Sequence, residues 1–425
     1  MLKRLTNFSL KMFTRLFPSQ KPLLFTGVDS TLQLASLVHT TGYRRPFLAV
    51  EKTVLRLGLL DGLLEYFKRE GCEVTVFDGI VPNPTYEVIE KGIAACRSGD
   101  CDCVFVVGGG SAIDAAKVIA ACCSNDACVE QIVGVLKVKQ PTLPFYAVPT
   151  TSGTGSEVTN AAVISETETH QKKFVVDSKL IPSAAALDAN MLKSLPPHIT
   201  AATGMDALTH AIEAYTSVNR FRDAEEDAKV AVKLLVEQLP IAYADGGDLK
   251  ARELVALASF LAGYAFNKSG LGYVHAISHQ ISANYNTPHG LANAVILPRV
   301  MRFNQSACQE RYADLERVVS GVDVGSDDVL ANRFIARVEA LGQQLSIPKG
   351  LEDLREEDFD TITKNALKEA RSYYAVPRLM SSKQCKEILN SITMGANVDP
   401  TKSQKLQELP AAVHVNPSRR MSVEA

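Results

Sequence analysis

In the first half of the chain, apolar positions fall into short β-rich runs: 46–50 (PFLAV), 73–77 (EVTVF), 104–107 (VFVV) and 145–148 (FYAV). Between them, residues 59–70 and 86–96 repeat apolar positions at helical spacing. Strands alternating with helices predict a mostly parallel sheet covered on both faces. Turn signals bound the runs: Asp78-Gly79, Pro82-Asn83-Pro84 and Gly108-Gly109-Gly110. After Pro196-Pro197 the strand pattern stops. Residues 222–238, 249–267, 271–285, 288–303, 308–319, 327–345, 356–371 and 381–392 all read as helices. The pattern therefore predicts an α/β domain over 1–196, an all-α domain over 197–394 and a polar, Pro-bearing tail over 395–425.

Two loops in the α/β half carry candidate chemistry. The run 104–107 leads into Gly108-Gly109-Gly110-Ser111 and then into a helix bearing Asp114 and Lys117. A strand, a glycine turn and a helix start make an anion cradle, because the backbone can approach closely and free N–H groups face the ligand. The common dinucleotide fingerprint is absent, since Ile113 stands where its third glycine would be. Such a turn alone could simply reverse the chain. The segment 148–157 (VPTTSGTGSE) also follows a strand, and is crowded with hydroxyls. Capping would explain those hydroxyls, but two such loops at neighbouring strand ends better fit the ligand crevice of an open α/β sheet. A nucleotide or dinucleotide is the expected ligand.

The helical half carries a second constellation. Asp206 and His210 stand four apart, as do His275 and His279, and His289 follows Thr287-Pro288 at a helix start. Three helices could thus bring one carboxylate and two or three imidazoles to one point. That mixed N/O set suits Fe2+ or Zn2+ and disfavours Ca2+. Any one of these histidines could be a satisfied core residue, but packing does not explain the set. Glu213, on the same helical face as His210, reads as a residue behind the ligands or at the surface. His39, His170, His198 and His414 lack partners at ligand spacing.

Composition narrows the function classes. Across 425 residues, 45 Lys and Arg balance 47 Asp and Glu for a net charge of −2, which argues against a nucleic-acid binder or an anionic-membrane protein. With 46% hydrophobic and 22% charged residues the chain is ordinarily globular. The most apolar stretch, 104–123, contains Asp114 and Lys117 and is a poor membrane span. The basic, amphipathic residues 1–16 lack a continuous apolar core and read as a docking helix rather than a secretory signal, with an organellar presequence or a surface-lying helix as the alternatives. Nine cysteines without a Cys-x-x-Cys pair read as reduced thiols in a reducing compartment, and the expected location is cytoplasmic.

The order GGGSAIDAAK (108–117), PTTSGTGSEVT (149–159), TGMDALTHAIEAY (203–215) and GLGYVHAISHQISANYNTPHGLAN (270–293) resembles the iron-containing (group III) alcohol dehydrogenases, from about residue 20 to about 393. The resemblance implies a Rossmann-like N-terminal domain and a helical C-terminal domain, a dehydroquinate synthase-like architecture with the metal in the cleft. It also implies interconversion of small alcohols with aldehydes or ketones by NAD(H), usually in a homodimer. Carried over by position, Asp206, His210, His275 and His289 would hold Fe2+ (or Zn2+), and His279 would lie near the metal and nicotinamide as a proton relay. Asn83, Gly109, Gly110, Ser111, Asp114, Thr150, Thr151, Thr154 and Lys173 would contact the cofactor.

There are departures from the family pattern. Glu51 stands where many members have Asp; a carboxylate there would bond ribose hydroxyls and repel a 2′-phosphate, favouring NAD over NADP. The family's N-P-R-x-T stretch appears as Val376-Pro377-Arg378-Leu379-Met380. Two enzymes use the same constellation: a hydroxyacid–oxoacid transhydrogenase, and a metal- and NAD-dependent lyase resembling dehydroquinate synthase, whose substrate-binding Lys/Arg set is not evident here. A nucleotide-binding sensor without catalysis would leave the Asp/His set unexplained.

Overall fold

A computed structural model describes residues 20–168 and 171–394, so the N-terminal helix and C-terminal tail read from the sequence lie outside the described residues. The α/β half contains β1 (Leu23–Thr26), α1 (Ser30–Thr40), β2 (Pro46–Glu51), α2 (Lys52–Arg56), α3 (Asp61–Arg69) and β3 (Thr75–Ile80). It continues through α4 (Tyr86–Ser98), β4 (Cys103–Gly108), α5 (Gly110–Asn125), α6 (Val129–Ile132), β5 (Gly134–Val135) and β6 (Phe145–Pro149). It closes with β7 (Ala161–Ser165), β8 (Lys172–Val176), β9 (Ala184–Leu187) and α7 (Ala189–Leu192). The helical half comprises α8 (Pro197–Thr216), α9 (Arg222–Ala244), α10 (Leu249–Ser269) and α11 (Tyr273–Tyr285). It ends with α12 (His289–Ser320), α13 (Asp327–Gln344), α14 (Phe359–Tyr373) and α15 (Ser382–Ser391).

Six strands form a parallel sheet in the order β1-β9-β6-β4-β2-β3. β2, β4 and β6 are buried along nearly their whole length, which is why they read as unbroken apolar runs rather than as alternation. The path reverses between β2 and β4: β3 is added on one side, then β4 and β6 on the other. A crevice opens at such a reversal, outside the carboxyl ends of the strands. Glu51 ends β2, Gly108 ends β4 and Pro149 ends β6, so the two candidate loops start side by side at that crevice. A small sheet, β5-β8-β7, flanks the second loop.

One local expectation changes. Asp78-Gly79 is not a turn but the continuation of β3. Glu51 pairs with both Gly79 and Ile80 in a bulge, and a Cβ on Gly79 would fall 2.8 Å from the Phe77 ring, so glycine here admits the ring rather than breaking the strand. The helices expected at 288–303 and 308–319 follow one another as the two segments of α12, separated by non-helical backbone at Cys308 (φ −123°, ψ 16°). The edge strand β1 and its neighbour β9 escape the pattern because they are four residues long, and β9 is nearly all alanine.

Pro197, with its fixed φ and missing N–H, begins α8. This helix is buried over most of its length and packs against α9, α10 and α12, so the residues it carries are held on several sides. The apolar core of the helical half runs from Ala201 to Ile392 and is separate from the two cores on the faces of the large sheet.

Candidate functional site: a glycine turn and a buried histidine cluster

The glycine turn and the hydroxyl loop pack directly on each other. Thr150 N–H donates to the Gly108 carbonyl at 3.0 Å, and Ser156 N–H donates to Thr154 Oγ1 at 3.3 Å. A Cβ on Gly110 would fall 2.7 Å from the Thr154 side chain, so only glycine lets the start of α5 lie this close. Thr151 lies 3.6 Å from the corresponding point on Gly109. Gly109 N–H donates to Glu51 Oε1 at 3.3 Å, and burial pushes the Glu51 carboxyl above its ordinary pKa against that bond. Asn83 N–H meets Ser111 Oγ at 3.3 Å. Glu51, Asn83, Gly109, Gly110, Ser111, Thr150, Thr151 and Thr154 are thus gathered around the start of α5.

Two sequence candidates are placed differently. Both oxygens of Asp114 are engaged inside the protein, by Ser156 Oγ and by Val163 N–H at 2.8 Å. Asp114 therefore ties α5 to the hydroxyl loop and to β7. Lys173 points to Glu166 at 3.5 Å, and it is Lys172 whose Nζ donates to Asn83 Oδ1. Adjacent residues of a strand face opposite sides, and the sequence alone does not say which of the two lysines faces the crevice. Lys117, singled out only as part of the motif, is buried with Nζ donating to the Thr159 and Ala161 carbonyls at 2.8 and 2.9 Å.

In the helical half, α8 supplies Asp206 and His210, α11 supplies His275 and His279, and α12 begins with His289. Asp206 Oδ1 lies 4.0 Å from His210 Nε2, 3.6 Å from His275 Nε2 and 3.7 Å from His289 Nε2. Asp206, His210 and His275 by themselves offer one donor atom each within 4.8 Å of one another. The His210 ring stacks between His275 and Phe266, with centroids 4.6 and 4.3 Å away. Two of the imidazoles are oriented from behind. His210 Nδ1 meets the Gly153 carbonyl at 3.2 Å, which joins the hydroxyl loop to the histidine cluster. His275 Nδ1 meets Glu213 Oε2 at 2.7 Å. Glu213 also accepts from Gly272 and Val274 N–H at 2.8 and 2.7 Å, and is buried behind the cluster rather than at the surface.

His279 lies at the open side. Its ring stacks on His289 with centroids 5.2 Å apart, and its Nδ1 meets Glu369 Oε1 at 2.7 Å. Tyr374 donates to the same oxygen at 2.6 Å, and Gln280 to the other at 2.9 Å. The side chains of Asp206, His210 and His275 are 6% exposed or less, whereas His279 and His289 are 28% and 36% exposed. The cluster is closed on the α8 side and accessible past His279 and His289.

The donor set fits a divalent cation. Burial pushes His210 down to about 4, so its ring is neutral and keeps a lone pair. Burial works against charge on Asp206, but the His210, His289 and His275 rings outweigh it and hold this carboxyl below its ordinary range. Burial would also depress His275, yet hydrogen bonds to Asp206 and Glu213 lift it to about 9. The two carboxylates thus favour positive charge where the Nε2 atoms meet, and a metal dication satisfies that demand with the same lone pairs. The glycine turn fits a pyrophosphate, which needs close backbone and a helix N-terminus.

Sequence reasoning missed Lys172, Glu369 and Asn293. Asn293 follows His289 by four residues, the same spacing used for the histidine pairs, so that signal was present. Glu369 lies 90 positions from His279 and carries no such signal.

Comparison with known proteins identifies the family. A family model for iron-containing alcohol dehydrogenase matches residues 22–189, and a model for the C-terminal part of the Fe-containing alcohol dehydrogenase family matches residues 200–393. The chain is 37% identical to 1,3-propanediol dehydrogenase of Klebsiella pneumoniae over 370 residues, 86% of this chain and 95% of that protein. It is 34% identical to NAD-dependent methanol dehydrogenase of Bacillus methanolicus, over 82% of this chain and 92% of that protein. Among solved structures, a 1,3-propanediol oxidoreductase superposes with a TM-score of 0.84 at 36% identity, covering 88% of this chain and 98% of that one. The dehydrogenase names favour that activity over the transhydrogenase and lyase alternatives. Among the described residues no helix is long and apolar enough to cross a membrane. The chain belongs to the iron-containing alcohol dehydrogenase family, NAD-dependent oxidoreductases that act on CH–OH groups.

Proposed function

We propose that the chain interconverts a small alcohol with its aldehyde or ketone, using NAD(H) and Fe2+, with Asp206, His210, His275 and His289 as the metal ligands. The observation that carries this reading is the convergence of three imidazole Nε2 atoms on Asp206 Oδ1, joined to the hydroxyl loop through His210 and Gly153. When bound, the metal supplies Lewis-acid polarisation of the substrate oxygen and NAD supplies the hydride acceptor.

The chain's own residues do the rest. Glu213 and the Gly153 carbonyl fix the rings of His275 and His210, so their Nε2 lone pairs face inward. Gly109, Gly110 and Ser111 at the start of α5 would hold the pyrophosphate, beside Asn83, Lys172 and the hydroxyls of Thr150, Thr151 and Thr154. Glu51 would bond the ribose and disfavour a 2′-phosphate. Asp114 holds the two loops together. His279 donates from Nδ1 to Glu369, which leaves Nε2 to take a proton released by the alcohol and pass it to solvent through the open side. The finer assignments, a homodimer in the cytoplasm, rest on the family resemblance and on the free thiols.

The test is an NADH-oxidation screen over aldehydes and ketones after anaerobic reconstitution with Fe2+ or Zn2+. Turnover that depends on metal and on added NADH is expected, and replacing His275 or His289 by Ala abolishes both metal retention and turnover. Full activity in metal-free enzyme would overturn the ligand assignment. Turnover between two substrates without added NAD would favour a transhydrogenase.

A further inference from the structure

Three atoms of the proposed ligand set face one another at the centre of the cluster: Asp206 Oδ1, His275 Nε2 and His289 Nε2. One uncharged donor group reaches all three. Asn293, one turn into α12 and fully buried, places Nδ2 2.6 Å from Asp206 Oδ1, 3.1 Å from His289 Nε2 and 3.2 Å from His275 Nε2. Its Oδ1 is buried without a hydrogen-bond partner. The amide orientation follows from chemistry: the flipped amide would set its oxygen 2.6 Å from a carboxylate oxygen, two acceptors in contact. An amide that leaves its own oxygen unsatisfied while directing both N–H groups at a ligand set is a costly arrangement for packing alone.

From this we infer that Asn293 is a positioning residue for the metal: its N–H groups hold the Asp206 carboxylate and the His275 and His289 rings in ligating orientation before the ion arrives. The inference rests on the ligand assignment proposed above. The short bond to Asp206 is the principal one, because it fixes which carboxylate oxygen faces the histidines. Without it, the carboxylate and the more exposed His289 must be ordered by the ion itself, and affinity falls. Residues that orient metal ligands typically change affinity by about 10–100-fold when removed.

Two variants separate donation from packing. Asn293→Leu keeps the shape of the side chain and removes both donors; Asn293→Ala removes donors and volume together. Co2+ affinity of the full-length protein is measured by competition with a chromophoric chelator, alongside the Co2+ ligand-field spectrum and a melt of the metal-free protein. Both variants are expected to bind Co2+ about 10–100-fold more weakly, with an altered spectrum. Wild-type affinity and spectrum in a folded Asn293→Leu would overturn the inference, because packing would then suffice. Failure of the wild type itself to bind Co2+, or wild-type affinity in His275→Ala, would instead overturn the ligand assignment.

Discussion

The two halves of the site hold their polar groups by different means. Around the glycine turn the ligand-facing groups are backbone N–H and hydroxyls, brought close because glycines remove side-chain volume: Gly110 lies where a Cβ would collide with Thr154. In the helical half they are ionisable side chains, Asp206, His210 and His275 among them buried, held by further residues such as Glu213 behind His275. The first half recognises charge with dipoles that are present in any case; the second concentrates charges that are stable together only when satisfied. Errors should therefore be graded in the first half and close to all-or-none in the second.

The contrast can be broken from the helical side first. Replacing Asp206 by Ala removes the carboxylate on which the three imidazole Nε2 atoms converge, and we expect activity to fall about 10³-fold or more, with loss of bound metal measured by elemental analysis. Retained metal and activity would show that the ligand set lies elsewhere.

The next effect lies in the hydroxyl loop and acts on stability. Glu157 is buried beside it, and desolvation lifts its pKa from 4.5 to about 7. A carboxyl whose folded pKa is raised contributes stability that is present below pH 4.5 and lost as pH rises through 7, about 3 kcal/mol in all. Glu157→Gln should flatten that window, so that the variant gains on the wild type in urea titrations from pH 4.5 to 7.5. Parallel pH profiles for the two proteins would contradict the assignment.

A smaller change is expected when an orienting group is altered and the ligands stay. Glu213→Gln keeps the size but swaps an acceptor for a donor among three N–H groups, and metal affinity should fall about 10–100-fold. The smallest lies at the nucleotide: Glu51→Gln removes a half-buried carboxylate beside the glycine turn and should shift the NAD over NADP preference by about tenfold in kcat/KM, roughly 1.4 kcal/mol. An unchanged ratio would place cofactor choice elsewhere.

Much of this was legible in the chain. Buried parallel strands such as 104–107 announce themselves as apolar runs, because both faces are covered. Histidines at helical spacing announce a shared face, because 3.6 residues per turn leaves few alternatives. Other features were not. The facing of Lys172 rather than Lys173 depends on strand register, which short runs specify weakly. Asp114 looked like part of a phosphate turn, yet its carboxylate is spent on Ser156 and Val163, partners 42 and 49 residues away. Glu369 behind His279 comes from a helix 90 residues distant.

By itself the sequence determined the α/β-then-helical order, the glycine turn after β4 and the identities of the convergent Asp and His residues, because local periodicity and spacing encode these directly. The tertiary structure alone decided how each of those groups is oriented: His210 by the Gly153 carbonyl, His275 by Glu213, and Asp206 by Asn293. Orientation is set by hydrogen bonds between segments far apart in the chain. Such bonds leave no periodic trace, since each needs only one partner of the right type at the place where the fold brings the two together.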